Sequence, residues 1–439
     1  MMFFPLKHVG YCMLVSAVWL VVSCATTPSN FVAAQGCQTG AYQYGEQIVV
    51  LYDHVRDGAP DRTGYTFVDG RRGILGGEDA EVACVSAKLQ TPEGGSFSRV
   101  EIAEEDTIFQ NDGVTLHGRL MTPTAIAGKP RALAVFVHGS ESTPTVGRSR
   151  FPHLLAAQGI TVFAYDKRGT GMSDGTYTQN FPQLADDAAA AFNHAVMMAS
   201  GQFDRAGYYG GSQGGWVAPL AATQSDADFV VVGFGLVLSP IEEDAEQVYD
   251  EMRRNGYGEG DIAKAKEVTS ATGLIVASNF SSGIDELHEI KQRYANEPWL
   301  LSIEGEFTDE ILSASEDELR AGKAGDFEDE NVAWRYDAMS VLRSLEIPQL
   351  WVIAANDTAA PGDLTRVRLR ALQSEGLPIT TAVFPRTDHG MVEFDENPDG
   401  SRTYTRFTEG FFRMIADMMM QDFDPPYGTA VIVPANAQD

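Results

Sequence analysis

The chain has 439 residues, 44% of them apolar and 21% charged, enough for one large core and a smaller unit beside it. Its 32 basic and 61 acidic residues give a net charge of −29. That balance excludes a nucleic-acid partner and electrostatic docking on anionic lipid, and reads as a solvated acidic surface.

The chain opens with MMFFPLKHVGYCMLVSAVWLVVSC, in which Lys7 precedes an apolar run from Val9 to Val22. A basic start followed by an apolar stretch of this length predicts a secretory signal over 1–23 rather than a spanning helix. Val21-Val22-Ser23-Cys24 resembles the bacterial lipobox, which implies lipidation of Cys24 and cleavage before it. Cleavage after Ala25 is the alternative. Residues 24–35 are small and polar, as a tether would be. The expected location is a bacterial cell envelope, exported and lipid-anchored to the membrane. Cys12 leaves with the signal, so Cys37 and Cys84 remain and are expected to pair in an oxidising compartment. Closing that loop would contribute ~4 kcal/mol. Two unpaired buried thiols are the alternative.

Over 36–96, short β-like runs (GEQIVVLYDHV, YTFVDG, EVACVSAKL) are broken by DGAPDRTG, DGRRG and TPEGG. This punctuation predicts a small β-rich module. The pattern changes over 97–423. SRVEIAEEDTIFQ and VTLHGRLMTP predict a hairpin around Asn111-Asp112-Gly113. LAVFVHG, ITVFAYDKRG, FDRAGYYGG, VVVGFGLVLSP, LWVIAAND and TTAVFPRTDHG then alternate with helical stretches. Continuous β-branched runs separated by helices mean an α/β fold, with a mostly parallel sheet covered on both faces. About a hundred residues of acidic, helical composition, near 241–345, interrupt the alternation and predict a cap. Residues 424–439 carry two early prolines and little periodicity, as a surface arm would.

Gly210-Gly211-Ser212-Gln213-Gly214 fits G-x-S-x-G between a strand and a helix. A sharp turn there holds its central residue at strained φ/ψ, and positions two on either side must lack side chains. It lifts the Ser212 hydroxyl above the sheet edge beside a helix N-terminus. A serine needs a base, and the base needs an orienting carboxylate. On this sheet both follow later strands, which selects Asp357 after LWVIAAN and His389 after TTAVFPRTD. Asp388 is too close in sequence to orient His389, and Asp363 reads as a helix-capping residue. His138-Gly139-Ser140-Glu141 follows the strand LAVFV. Its expected role is one backbone donor of an oxyanion hole, from Ser140 or in the other register Glu141, with Gln213 as the second donor. Asp166 and Arg168 read as tying their turn through an ion pair and backbone contacts. No G-x-G-x-x-G, P-loop, H-E-x-x-H or Cys/His ligand spacing occurs, so neither cofactor nor metal is expected.

HGS (138–140), YDKRGTGMSDG (165–175), GGSQGGWVAP (210–219), AANDTAAP (354–361) and DHG (388–390) occur in that order. Together they resemble the α/β-hydrolase superfamily, and within it capped bacterial esterases and serine peptidase-like hydrolases. The resemblance covers about 97–423 and implies Ser212 as nucleophile, Asp357 as acid and His389 as base. The expected substrate is a small-molecule carboxylic ester. An exopeptidase with the same triad is the alternative, marked by a cap carboxylate that holds a free amine. Glu242, Glu243 and Asp244 are available for that, though such a charge run is usually a solvated face. Leu274, Ile275, Phe280 and Trp299 would line an acyl pocket or form the cap's own core. A non-catalytic binding lipoprotein is the third reading.

Overall fold

The computed structural model describes residues 36–54, 62–124, 131–322 and 331–435. The expected signal, the tether and Cys24 lie outside them. Among the described residues, no helix is long and apolar enough to cross a membrane.

Turn-forming glycines and aspartates cut the N-terminal segment into short strands: β1 (Gly40–Tyr44), β2 (Gln47–His54), β3 (Arg62–Phe67), β4 (Arg72–Ile74), β5 (Ala83–Val85), β6 (Lys88–Gln90) and β7 (Ser98–Arg99). Five form a sheet in the order β4-β3-β2-β1-β7, and β5 pairs with β6. Cys37 and Cys84 are disulfide-bonded, with Cα atoms 5.7 Å apart. One face of the sheet builds its own core from Val49, Leu51, Tyr65 and Phe67. The other turns Ala41 and Val50 into the core of the larger unit, so the module is fused to the main body through its strand alternation.

The main sheet begins with a hairpin of β8 (Ile102–Asn111) and β9 (Val114–Pro123). Asp112 at φ 47° and Gly113 at φ 73° form its turn, the pair of positive φ values that such a two-residue connection demands. Strands then alternate with helices: β10 (Ala132–Val137), α1 (Phe151–Ala156), β11 (Thr161–Tyr165), α2 (Phe181–Met198), β12 (Arg205–Gly211), α3 (Gly214–Ala222) and β13 (Phe229–Gly233). The cap follows as α4 (Pro240–Arg254), α5 (Glu259–Ala277), α6 (Ile284–Arg293), α7 (Thr308–Ser313) and α8 (Glu316–Arg320), before α9 (Ala338–Arg343) returns the chain to the sheet. Beyond it come β14 (Gln349–Ala354), α10 (Asp363–Ser374), β15 (Ile379–Phe384), β16 (Thr387–Asp388), β17 (Val392–Glu396), β18 (Arg402–Phe407), α11 (Phe411–Met420) and β19 (Val431–Val433).

The sheet order is β19-β15-β14-β13-β12-β10-β11-β9-β8. Strands β11, β10, β12, β13, β14 and β15 run parallel, with antiparallel strands at both edges. Leu133, Val135 and Val137 of β10 face the core under α2 and α3, and Ala132, Ala134 and Phe136 face the core under α1 and α11. A strand buried on both faces must read as a continuous apolar run, as β10 does. This is the α/β-hydrolase fold, with an antiparallel β module added at its N-terminus. The chain passes from β10 to β11 on one side and then crosses back over β10 to β12 on the other, which makes the carboxyl edge here the switch point of the sheet.

Two expectations need correction, and one open choice is decided. The segment read as a surface arm instead buries Tyr427 at 1% exposure and supplies β19, which pairs with β15. Of the two roles open to the apolar cap residues, Ile275, Phe280 and Trp299 take that of the cap's own core, with Val268, Leu287 and Phe307. Asp363 is the first residue of α10 and makes no capping bond; it pairs with Arg366 at 3.0 Å.

Candidate active site

Ser212 sits between β12 and α3 with φ of 52°, a conformation a non-glycine residue adopts only where surroundings enforce it. The enforcement is local. A Cβ on Gly210 would lie 2.1 Å from Gly214 O, and one on Gly214 would lie 2.5 Å from Val137 O. Both contacts are with backbone and leave no room for a side chain. The amide of Ser212 donates to Gly233 O at 3.1 Å, and its carbonyl accepts from Gly215 N at 2.7 Å. The hydroxyl therefore stands at the switch point of the sheet.

His389 follows β15 through the short strand β16. Its Nε2 lies 3.1 Å from Ser212 Oγ, and its Nδ1 lies 2.9 Å from Asp357 Oδ2. Asp357 is 6% exposed, and its second oxygen accepts from Ala359 N at 3.0 Å and Ala360 N at 2.7 Å. These bonds leave one oxygen directed at the imidazole. Phe234 packs edge-on against the His389 ring at 5.1 Å. Burial alone would lower the imidazole's pKa, but the charge and hydrogen bond of Asp357 outweigh it and hold the group above its ordinary value. The structure thus brings Ser212, Asp357 and His389 together across 177 residues of sequence.

The loop after β10 starts beside the elbow, with His138 O 3.5 Å from where a Cβ on Gly214 would stand. Among the described residues, no protein acceptor takes the backbone N–H of Ser140 or of Gln213. The Glu141 carboxylate lies 3.6 Å from His138 Nδ1. His138 is desolvated, and burial and the Lys167 charge push its pKa down.

Asp166 and Arg168 do not pair with each other. Asp166 accepts from Thr145 N at 2.8 Å, Val146 N at 2.9 Å and Met172 N at 3.2 Å, so it braces two loops. Arg168 makes a bidentate bond to Asp187 on α2, 2.7 Å at each nitrogen. A partner 19 residues away leaves no local signature in sequence. Lys167, between them, makes contacts that its sequence neighbours do not announce. Its Nζ donates to Gly139 O at 2.7 Å and lies 3.5 Å from Gln213 Oε1. YDKRG places it just beyond a strand end, which is the signal that was available.

The acidic run at the start of α4 is not a solvated face. Glu242 closes a capping box with Ser239 and pairs with Arg368. Asp244 is fully buried, accepts from Phe307 N at 2.9 Å and Thr308 N at 3.0 Å, and is pushed up to about 6 by burial. One turn beyond Glu243, on the same face of α4, Gln247 donates to Ala359 O at 3.1 Å. Glu243 thus faces the Asp357 loop. Desolvation, with the charges of Glu306, Asp357 and Asp244, holds its carboxyl well above the ordinary range.

An α/β-hydrolase fold carrying a serine, histidine and aspartate in mutual hydrogen-bond reach is the class that fold and geometry define. Over residues 128–250 the chain is similar to the family described as serine aminopeptidase, S33. That span includes Ser212 and ends before Asp357 and His389. No curated protein matches the chain. Among solved structures it is similar to an esterase of Pyrococcus furiosus at 13% identity and TM-score 0.39, covering 66% of this chain and 82% of that one. It is also similar to the acylaminoacyl peptidase of Pyrococcus horikoshii at 15% identity and TM-score 0.45, covering 88% and 56%. A third is the proline iminopeptidase of Mycobacterium smegmatis, at 16% identity and TM-score 0.41, covering 72% and 98%.

Proposed function

We propose that this chain is a serine hydrolase that cleaves carboxylic esters through an acyl-enzyme. The observation that carries the reading is the continuous line from Asp357 Oδ2 through His389 to Ser212 Oγ, at 2.9 and 3.1 Å. Ser212 Oγ attacks the ester carbonyl and its proton passes to His389 Nε2. Asp357 fixes the imidazole's orientation and stabilises its cation. The carbonyl oxygen becomes an oxyanion held by the N–H groups of Ser140 and Gln213. His389 returns the proton to the departing alkoxide, leaving Ser212 acylated. Water then attacks as His389 takes its proton, and the acid is released when His389 returns that proton to Ser212 Oγ. An ester is the least demanding substrate for this constellation, because an alkoxide departs with less assistance than an amine.

A second reading is favoured by Glu243. A carboxyl near the triad acid, ionising reluctantly when alone, would ionise readily beside a substrate ammonium. That supports an exopeptidase that holds a free N-terminus, in keeping with the description of the family matched over 128–250. Hydrolysis of p-nitrophenyl acetate, butyrate and octanoate beside an aminoacyl-p-nitroanilide separates the two. Ester turnover that falls by about 10⁴-fold or more in Ser212→Ala supports the first. Activity on the anilide alone moves the assignment to the second, and absence of any Ser212-dependent turnover leaves a binding protein.

We further propose that the chain is exported and held in the bacterial envelope by lipid on Cys24. The motif Val21-Val22-Ser23-Cys24 supports this. Labelled palmitate should enter the wild-type protein and not Cys24→Ala.

A further inference from the structure

One peptide unit joins Gly139 to Ser140. It carries the Gly139 carbonyl at one end and the Ser140 N–H at the other. In a trans peptide these two groups point in opposite directions, so whatever holds the carbonyl also aims the N–H. A glycine has no side chain to restrain its own ψ, and the restraint must come from elsewhere.

It comes from Lys167. The side chain is 3% exposed and reaches in from the loop after β11. Its ammonium donates to Gly139 O at 2.7 Å and lies 5.0 Å from the centre of the Tyr177 ring. The Tyr177 hydroxyl donates to the Ser140 carbonyl, which fixes the next peptide unit as well. Across the cleft the same ammonium lies 3.5 Å from Gln213 Oε1, and Gln213 Nε2 donates to Gln179 Oε1 at 3.1 Å. A single buried cation thus touches both the Gly139–Ser140 peptide and the residue that follows the serine. The Lys167 charge acts on the neighbouring Glu141 and His138, and its ammonium also stands against both of these segments.

We propose that Lys167 is a positioning residue of the reaction. It turns the Gly139–Ser140 peptide so that the Ser140 and Gln213 N–H groups converge, and its charge favours the tetrahedral oxyanion over the planar carbonyl. Tyr177 completes the restraint from the other side of Ser140. The inference rests on the serine-hydrolase reading.

The test uses the full chain with p-nitrophenyl acetate, and an aryl trifluoromethyl ketone as a reversible tetrahedral mimic. Lys167→Met should lower kcat by about 10–100-fold, less than the loss of a whole oxyanion donor. KM should stay unchanged, and affinity for the ketone should fall by the same factor as kcat. Lys167→Arg should recover part of both losses, and Tyr177→Phe should show a smaller loss of the same kind. Wild-type kcat in Lys167→Met overturns the proposal, as does a raised KM at constant kcat, or Lys167→Arg as slow as Lys167→Met. If Lys167→Met does not fold, Tyr177→Phe decides: matched losses of kcat and ketone affinity support the proposal, and wild-type values overturn it. A wild-type protein without Ser212-dependent turnover overturns the underlying reading too. Normal wild-type turnover with unaffected variants overturns this inference alone.

Discussion

The Asp388 carboxylate accepts the backbone N–H of Thr358 at 3.0 Å, tying the residue before the histidine to the residue after the aspartate. The same oxygen accepts His389 N at 2.8 Å. The second oxygen accepts from Arg402 at 2.5 Å and Tyr404 at 2.8 Å, both on β18. Arg402 also donates to Asn356 O at 2.8 Å. Asp388 is thus the joint between the two loops that carry Asp357 and His389. Strand β18 buttresses that joint and is itself bonded to the N-terminal module, Phe407 N donating to Gly70 O at 3.0 Å.

Removing the joint should cost both stability and activity. Asp388 is 1% exposed, so Asp388→Ala strands the Arg402 charge and should lose about 3–5 kcal/mol in urea unfolding. Asp388→Asn keeps acceptor capacity and should lose less. Burial would raise this carboxyl's pKa, but the N–H of Thr358, with Arg402 and Tyr404, outweighs it and holds the group below its ordinary value. A depressed carboxyl stabilises above its unfolded pKa and loses that contribution as pH falls through the folded one. The wild-type advantage over Asp388→Asn should therefore shrink only in strong acid. An advantage unchanged between neutrality and strong acid would contradict the assignment.

The base sets the acid limb of the pH–rate profile. His389 acts only as neutral imidazole, and its pKa stands above 6.5 because Asp357 outweighs burial. Ester kcat/KM should rise with pH through an inflection above 6.5. Asp357→Asn removes the charge that raises it, so the inflection should move to lower pH while the plateau falls about 10⁴-fold. For stability the sign is the reverse. A raised histidine stabilises below its unfolded pKa, and that contribution is lost as pH rises through the folded one. A profile that stays put in Asp357→Asn would place another group in control.

The triad was legible because each member has a local cause. Gly210 and Gly214 are needed by the backbone they would otherwise strike, and Asp357 and His389 follow apolar runs that end as strands end. Contacts chosen by the fold left no such trace. Glu242, Glu243 and Asp244 read as one charged face, yet a helix turns about 100° per residue. Three consecutive acids therefore point three ways: Glu242 to Arg368, Glu243 toward Asp357, and Asp244 into the cap. Asp388 is too near His389 in sequence to orient its ring, yet it holds that residue's backbone N–H.

Glu243 offers a clean separation of stability from specificity. Desolvation and the neighbouring acids raise its pKa well above 4.5. A raised carboxyl favours folding below its unfolded pKa, and that advantage is lost as pH climbs to the folded one. Glu243→Gln should then unfold like the wild type near pH 4 and gain about 1 kcal/mol above neutrality. If a substrate ammonium docks here, the same variant should lose aminoacyl-anilide turnover and keep ester turnover. Equal effects on both substrates would mean that Glu243 shapes the Asp357 loop and does not meet the substrate.

The last strand should guard the sheet's edge. β19 pairs with β15 through Val431, Ile432 and Val433, and Ile432 packs on the core under α11. Prolines and glycine before it disguise so short a strand, and only the pairing makes it one. Ending the chain after Gly428 keeps the buried Tyr427 and removes β19 with the residues that flank it. It would leave the β15 edge unpaired, an invitation to intermolecular pairing, and forgo about 1–3 kcal/mol of burial and hydrogen bonding. The truncated protein should show a lower thermal midpoint and concentration-dependent association by light scattering. Freshly isolated monomer should retain wild-type kcat, since β19 ends far from Ser212 in the sheet order. A truncated chain that stays monomeric with an unchanged midpoint would mean that β19 contributes neither stability nor edge protection.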